Sequence, residues 1–181
     1  MIEDIRSACA AFDGRDTLPL EALALEHQGD AGYLGAVWDV AEEADGQALV
    51  AASWLLLRVY RKDAAAACGA ADRLAGLLMR ADHHHARLHI IQSLDRAAAA
   101  GGMRAPQREQ LAAALRADAA HDRPFIRAWT LSVLARLSAD TPSVRPWVRE
   151  LVERAEHEGP ASLRARLRQV STAGALDWLI E

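Results

Sequence analysis

Apolar residues recur three and four positions apart along almost the whole chain, and no segment keeps the period-two alternation of a half-buried strand. Helix punctuation is frequent. Asp45-Gly46, Asp63, Asp82, Asp122-Arg123-Pro124, Thr141-Pro142 and Gly159-Pro160 each stand before an amphipathic stretch. Asp and Thr side chains accept from first-turn amides, and Pro suits a first turn because its missing N–H had no partner there. The pattern predicts helices at 2–12, 19–28, 33–44, 46–61, 64–80, 84–99, 106–118, 123–138, 143–157, 161–171 and 173–180. Their connections are short, so neighbouring helices run antiparallel.

Composition supports an all-α chain. Of 181 residues, 40 are Ala, 24 Leu and 20 Arg, with one Lys and no Asn, and the first three are strong helix formers. An apolar share of 51% is enough for a core and excludes a disordered chain. Collagen, a disulfide mini-protein and a membrane bundle are excluded as well; the longest apolar run, Ala48 to Leu57, is interrupted by Ser53 and covers about half a membrane span. Cys9 and Cys68 are lone thiols with no metal or redox spacing, and the acidic N-terminus lacks the features of a secretory signal. A soluble, cytoplasmic protein is expected.

The segments repeat. At an offset of 40, Asp82, Arg87, Ile91, Leu94 and Arg96 meet Asp122, Arg127, Leu131, Leu134 and Arg136. An offset of 37 leads forward to Pro160-Ala161-Ser162-Leu163-Arg164-Ala165, and backward to Asp45, Ala51, Trp54 and Leu57. A two-helix unit of this length, with Asp before the second helix and Arg five residues later, resembles the HEAT repeat family. The resemblance covers residues 33–171 as about four units, with residues 1–30 and 173–181 as terminal caps. It implies a right-handed α-solenoid in which stacked hairpins bury a continuous core that one hairpin cannot bury alone. It also implies that Asp82, Arg87, Asp122 and Arg127 form a structural ladder between units rather than an anion site.

In such a solenoid the second helices line the concave face. Positions spaced i, i+4, i+7, i+11 share that face. They read Ala48, Ala52, Leu55, Val59 in the first unit; His85, His89, Gln92, Arg96 in the second; Phe125, Trp129, Ser132, Arg136 in the third; and Ser162, Arg166, Gln169 in the fourth. The partner-binding candidates are therefore His89, Gln92, Arg96, Phe125, Trp129, Arg136 and Arg166. Trp129 and Phe125 would anchor a partner, and Arg96, Arg136 and Arg166 would select its acidic groups. Core packing is the default for Trp38, Trp54, Trp147 and Trp178.

Charge sharpens this picture. The chain carries a net charge of −4, which disfavours nucleic acid. Residues 1–90 hold 8 basic and 14 acidic side chains (net −6), and residues 91–181 hold 13 and 11 (net +2), so an anionic partner is favoured toward the C-terminal end.

His83, His84 and His85, with His89 one turn on and His121 and His157 near later helix starts, suggest a histidine edge. A His-x3-His pair on a helix can chelate zinc or nickel, but no His-Glu-x-x-His motif is present and solvated histidines are the plainer reading. No nucleotide loop or nucleophile elbow occurs, so no catalytic residue, cofactor or metal is assigned. The leading expectation is a non-enzymatic module that binds a protein or peptide on its concave face. Two alternatives stay open. One is a metal-binding repeat protein. The other is a DNA-binding protein resembling the HEAT-like DNA-alkylation glycosylases, for which Trp54, Trp129, the C-terminal arginines and Asp39 or Asp95 would supply the cleft.

Overall fold

A computed structural model describes residues 1–180, apart from the side chain of Glu158. Its α-helices are α1 (Ile2–Ala11), α2 (Leu18–Glu26), α3 (Tyr33–Glu43), α4 (Gly46–Lys62), α5 (Ala64–Gly69), α6 (Ala71–Arg80), α7 (His84–Ala100), α8 (Ala105–Ala114), α9 (Pro124–Ala139), α10 (Arg145–Glu158) and α11 (Ala161–Thr172). Short 3₁₀ turns occupy Asp118–Ala120, Pro142–Val144 and Asp177–Leu179. No strand occurs among the described residues, and no helix there is long and apolar enough to cross a membrane.

Successive helices pack on each other in pairs, α3 with α4, α6 with α7, α8 with α9 and α10 with α11. The second members also pack on each other in chain order, α4 on α7, α7 on α9, α9 on α11. Burial follows from these positions. The first helix of a pair hides one stripe, such as Val148, Val152 and Ala155 on α10, and keeps its charged face in water. A second helix is enclosed on several sides; on α9 the run Thr130 to Ala135 is buried without a break. The N-terminal pair differs, since α1 packs on both α3 and α4, and α2 on α1 and α4.

Three expected elements differ. The helix expected at 64–80 breaks at Gly69-Ala70 into α5, which packs on α4 and α7, and α6, which packs on α7 and α8. Gly holds a helix interior poorly, and the break lets each piece face its own neighbours. The helix expected at 106–118 stops at Ala114, and Asp118 is drawn inward by Arg87. The segment 173–180 is a turn at Gly174 (φ +76°) followed by a 3₁₀ turn, whose buried Trp178 donates its indole N–H to Ser138 Oγ at 3.0 Å.

Of the aspartates expected to cap helices, Asp63 does so, accepting from the Ala66 amide at 2.9 Å. At α7 and α9 histidines take over: His83 Nδ1 accepts from the His85 amide and His121 Nδ1 from the Arg123 amide. Asp82 is exposed, and Asp122 reaches only His121. The expected Asp82/Arg87 and Asp122/Arg127 ladder is thus replaced by another device, in which arginine forks close the carbonyl ends of helices. Arg80 donates to the Ala41 and Ala44 carbonyls at the end of α3. Arg87 donates to Leu78 and Ala81 at the end of α6, and Arg145 to Ser138 and Ala139 at the end of α9. The last carbonyls of a helix have no internal partner, and a planar cation satisfies two of them at the negative end of the dipole.

Tyr60 is fully buried and its hydroxyl accepts from the Trp38 indole N–H at 2.7 Å, tying α3 to α4. Tyr60→Phe orphans that N–H, and a loss of about 1–3 kcal/mol is expected in chemical denaturation. An unchanged midpoint would mean that the indole finds water instead. Both cysteines are free: Cys9 is buried, its thiol pushed up to about 11 by burial, and Cys68 donates to the Gly101 carbonyl.

Candidate functional site: an arginine–tryptophan cluster on the second helices

The face expected to form a groove is uneven. On α4, Ala52 and Leu55 are completely buried, so the apolar end expected there is not an open surface. Helix α4 is enclosed by α1, α2, α3 and α7, all of which pack on it. On α7, His89 turns toward α4 instead of outward. Its Nδ1 lies 3.2 Å from Ser53 Oγ, and Ser53 gives its own proton to the Val50 carbonyl, so the imidazole is the donor. Burial pushes the His89 pKa down to about 4; hydrogen bonding at the Val50 backbone opposes this, and nearby His85, Arg61 and His83 add to it. His89 is therefore a packing residue between α4 and α7. Gln92 beside it is half-buried.

Beyond this point the face becomes charged. Asp95, buried on α7, accepts from Ser132 Oγ at 2.6 Å and from Arg136 Nε at 3.0 Å, both on α9. Arg166 of α11 lies over the Trp129 ring of α9, with the guanidinium carbon 3.3 Å from the ring centroid. Burial pushes the Arg166 pKa down; Asp95 opposes the shift, and Arg136 and Arg96 reinforce it. Arg166 on α11 is thus influenced by Asp95 and Arg96 on α7 and by Arg136 on α9. Arg96 is exposed, while Arg136, Arg166 and Trp129 are half-buried. At the start of α9, Phe125 is 63% exposed.

Of the residues expected on this face, Trp129 and Arg166 are in contact, Arg136 is tied to Asp95, and Arg96 follows Asp95 on α7 as an exposed side chain. Phe125 is an open apolar side chain two turns of α9 earlier than Ser132, and His89 is withdrawn. Asp95, considered before only as an acid for the DNA alternative, is the group that organises the cluster. The repeat did not reveal it: at the offset of 40 that aligns α7 with α9, Asp95 meets Ala135, whereas its partners are Ser132 and Arg136. Asp39, the other acid of that alternative, is exposed on α3, a first helix, away from this face.

Each of the five tryptophans carries an arginine: Arg73 on Trp38, Arg58 on Trp54, Arg116 on Trp147, Arg145 and Arg149 on Trp178, and Arg166 on Trp129. The last pair joins two second helices, α9 and α11. At the histidine edge the rings of His83, His84 and His85 sit 4.1–5.4 Å apart, with His121 close enough to His84 to help depress its pKa. His157 instead bonds the Glu153 carbonyl within α10. Among the described residues no three His, Cys, Asp or Glu side chains converge as a metal site.

No family model matches the chain, and neither does any curated protein or solved structure.

Proposed function

We propose that the chain is a short α-solenoid of about four HEAT-like hairpins with terminal caps, acting as a non-enzymatic module that holds an acidic peptide segment of a protein partner. The chain-order packing of α4, α7, α9 and α11 supports the repeat reading, and its right-handed sense follows the resemblance. Two unpaired thiols suit a reducing cytoplasm.

One observation carries the binding reading. Asp95 pairs with Arg136, while Arg96 on α7 and Arg166 on α11 carry two further positive charges that this carboxylate does not pair. Trp129 lies under this patch and the exposed Phe125 beyond it. Aromatic area beside arginine forks is the chemistry of binding hot spots, and charge surplus selects the partner.

The test is selection of random displayed peptides on the immobilised protein. Acidic sequences with an apolar residue are expected to be enriched. Arg96→Glu is expected to weaken them by about tenfold or more, since a close like charge replaces an opposite one. Its melting temperature should hold, because Arg96 is exposed. Enrichment of neutral or basic peptides, or binding indifferent to Arg96→Glu, refutes the reading.

A second reading, a DNA-binding module like the alkylation glycosylases, has one observation in its favour, the meeting of Asp95 with Trp129 and arginines. Against it, Asp95 is 5% exposed and already holds two donors, and the chain is net acidic. Nonspecific DNA affinity needs several phosphate contacts. Retardation of a DNA duplex at low salt would favour this second reading over the first.

A further inference from the structure

We infer that the Arg96–Arg136–Arg166 cluster receives a dianionic phosphoryl group, carried as a phosphomonoester on the partner's peptide segment. This rests on the interaction-module reading and names the group the module selects.

The geometry separates the roles of the three arginines. Arg136 is pinned: its Nε is spent on Asp95, and Asp95 is held in turn by Ser132. A guanidinium has five N–H donors, so fixing one orients the others without exhausting them. Arg166 is laid flat on Trp129. A stacked guanidinium keeps its donors in its own plane, directed outward around the ring edge, which suits tetrahedral oxygens. Arg96 is exposed on α7 and can close over a bound group. Two of the three forks are thus positioned before any ligand arrives, which removes much of the ordering cost of binding.

Charge decides between anions. The surplus around Asp95 is two positive charges, and a phosphomonoester carries about −1.5 to −2 at neutral pH, whereas a carboxylate carries one. Nucleic acid fits less well: its phosphodiesters carry one charge each along a strand, and the acidic residues 1–90 (net −6) repel an extended polyanion.

The experiment titrates the intact protein with phenyl phosphate and with phenylacetate, which share a ring but differ in charge, while arginine Nε–Hε and tryptophan indole resonances are followed. Phenyl phosphate is expected to bind about tenfold tighter than phenylacetate, moving the signals of Arg96, Arg136, Arg166 and Trp129. Arg96→Gln and Arg166→Gln should each weaken it about fivefold or more. Asp95→Asn, which raises the surplus to three, should tighten it. Arg96→Gln keeps the test decisive if Asp95→Asn fails to fold, because Arg96 is exposed. Equal binding of the two probes, shifts confined to other residues, or no effect of Arg96→Gln would overturn the inference.

A second arm separates this inference from the reading beneath it. A selected acidic peptide is compared with the same peptide bearing phosphoserine in place of Glu. Tighter binding of the phosphopeptide supports the inference. Equal or weaker binding, with Arg96→Glu still disruptive, overturns the phosphoryl assignment and leaves the peptide module standing. Loss of both peptides removes both, and an oligonucleotide that displaces the phosphopeptide at equal concentration overturns the assignment in favour of nucleic acid.

Discussion

Arg87→Met is expected to destabilise the protein by about 3–5 kcal/mol, the usual consequence of stranding a buried charge. Arg87 grips Asp118 through Nε and Nη2 at 2.9 and 2.8 Å, and its Nη1 donates to the Leu78 and Ala81 carbonyls. The Asp118 side chain is 1% exposed. Removing the guanidinium leaves a carboxylate and two helix-end carbonyls without their donors at once. For a chain of this size the thermal midpoint should fall by roughly 10 °C. Arg87→Met combined with Asp118→Leu should recover much of the loss, because the buried carboxylate goes too. A midpoint within 2 °C of the wild type, in the single variant, would mean that Asp118 reaches solvent when Arg87 is gone.

Acid should weaken the fold through His89, by about 3 kcal/mol between pH 6.5 and pH 4. The sign follows from proton binding. Burial pushes the folded-state pKa down to about 4, while an unfolded histidine titrates near its ordinary value of 6.5. Between those values the unfolded chain holds the proton and the folded chain does not, so stability rises with pH across the window. It is fully present above 6.5 and lost as the pH falls toward 4. His83 and His84 are also depressed by burial and act in the same direction, but they are much less enclosed. The difference between wild type and His89→Gln therefore isolates the buried ring. Chemical denaturation at a series of pH values should show a flatter acid limb in the variant. Parallel limbs would place the proton uptake elsewhere.

These two residues mark where the chain could be read directly and where it could not. Helix positions were legible because apolar spacing and turn residues are local: α3, α4, α7, α9 and α11 lie within one residue of their expected ends at every terminus. The α5/α6 break was not, because Gly69 is tolerated in many helices and only the neighbours α4, α7 and α8 decide whether it bends. Arginine at position 87 of the repeat was visible, but its acceptor was sought in the aspartate that aligns with it. The acceptor is Asp118, which becomes available only because α8 ends early at Ala114. His89 was expected on an open face of α7, and it turns instead toward Ser53 of α4. Helical phase gives a direction, whereas the depth of the neighbouring Ser53 is set by how closely α4 and α7 approach. Trp129, Arg136 and Arg166 were expected on one face from helical phase, and the structure leaves them half-buried, with Arg166 of α11 lying over Trp129 of α9.

The cluster draws its parts from three helices far apart in the chain, with Asp95 and Arg96 from α7, Ser132 and Arg136 from α9 and Arg166 from α11. It has no local existence. Any fraying that lifts the last hairpin away takes Arg166 with it, bares Trp129 and leaves two arginines with their carboxylate. Occupancy of the patch and closure of the C-terminal end are then one equilibrium, and an anion seated across α7, α9 and α11 acts as a clasp on the tail of the molecule.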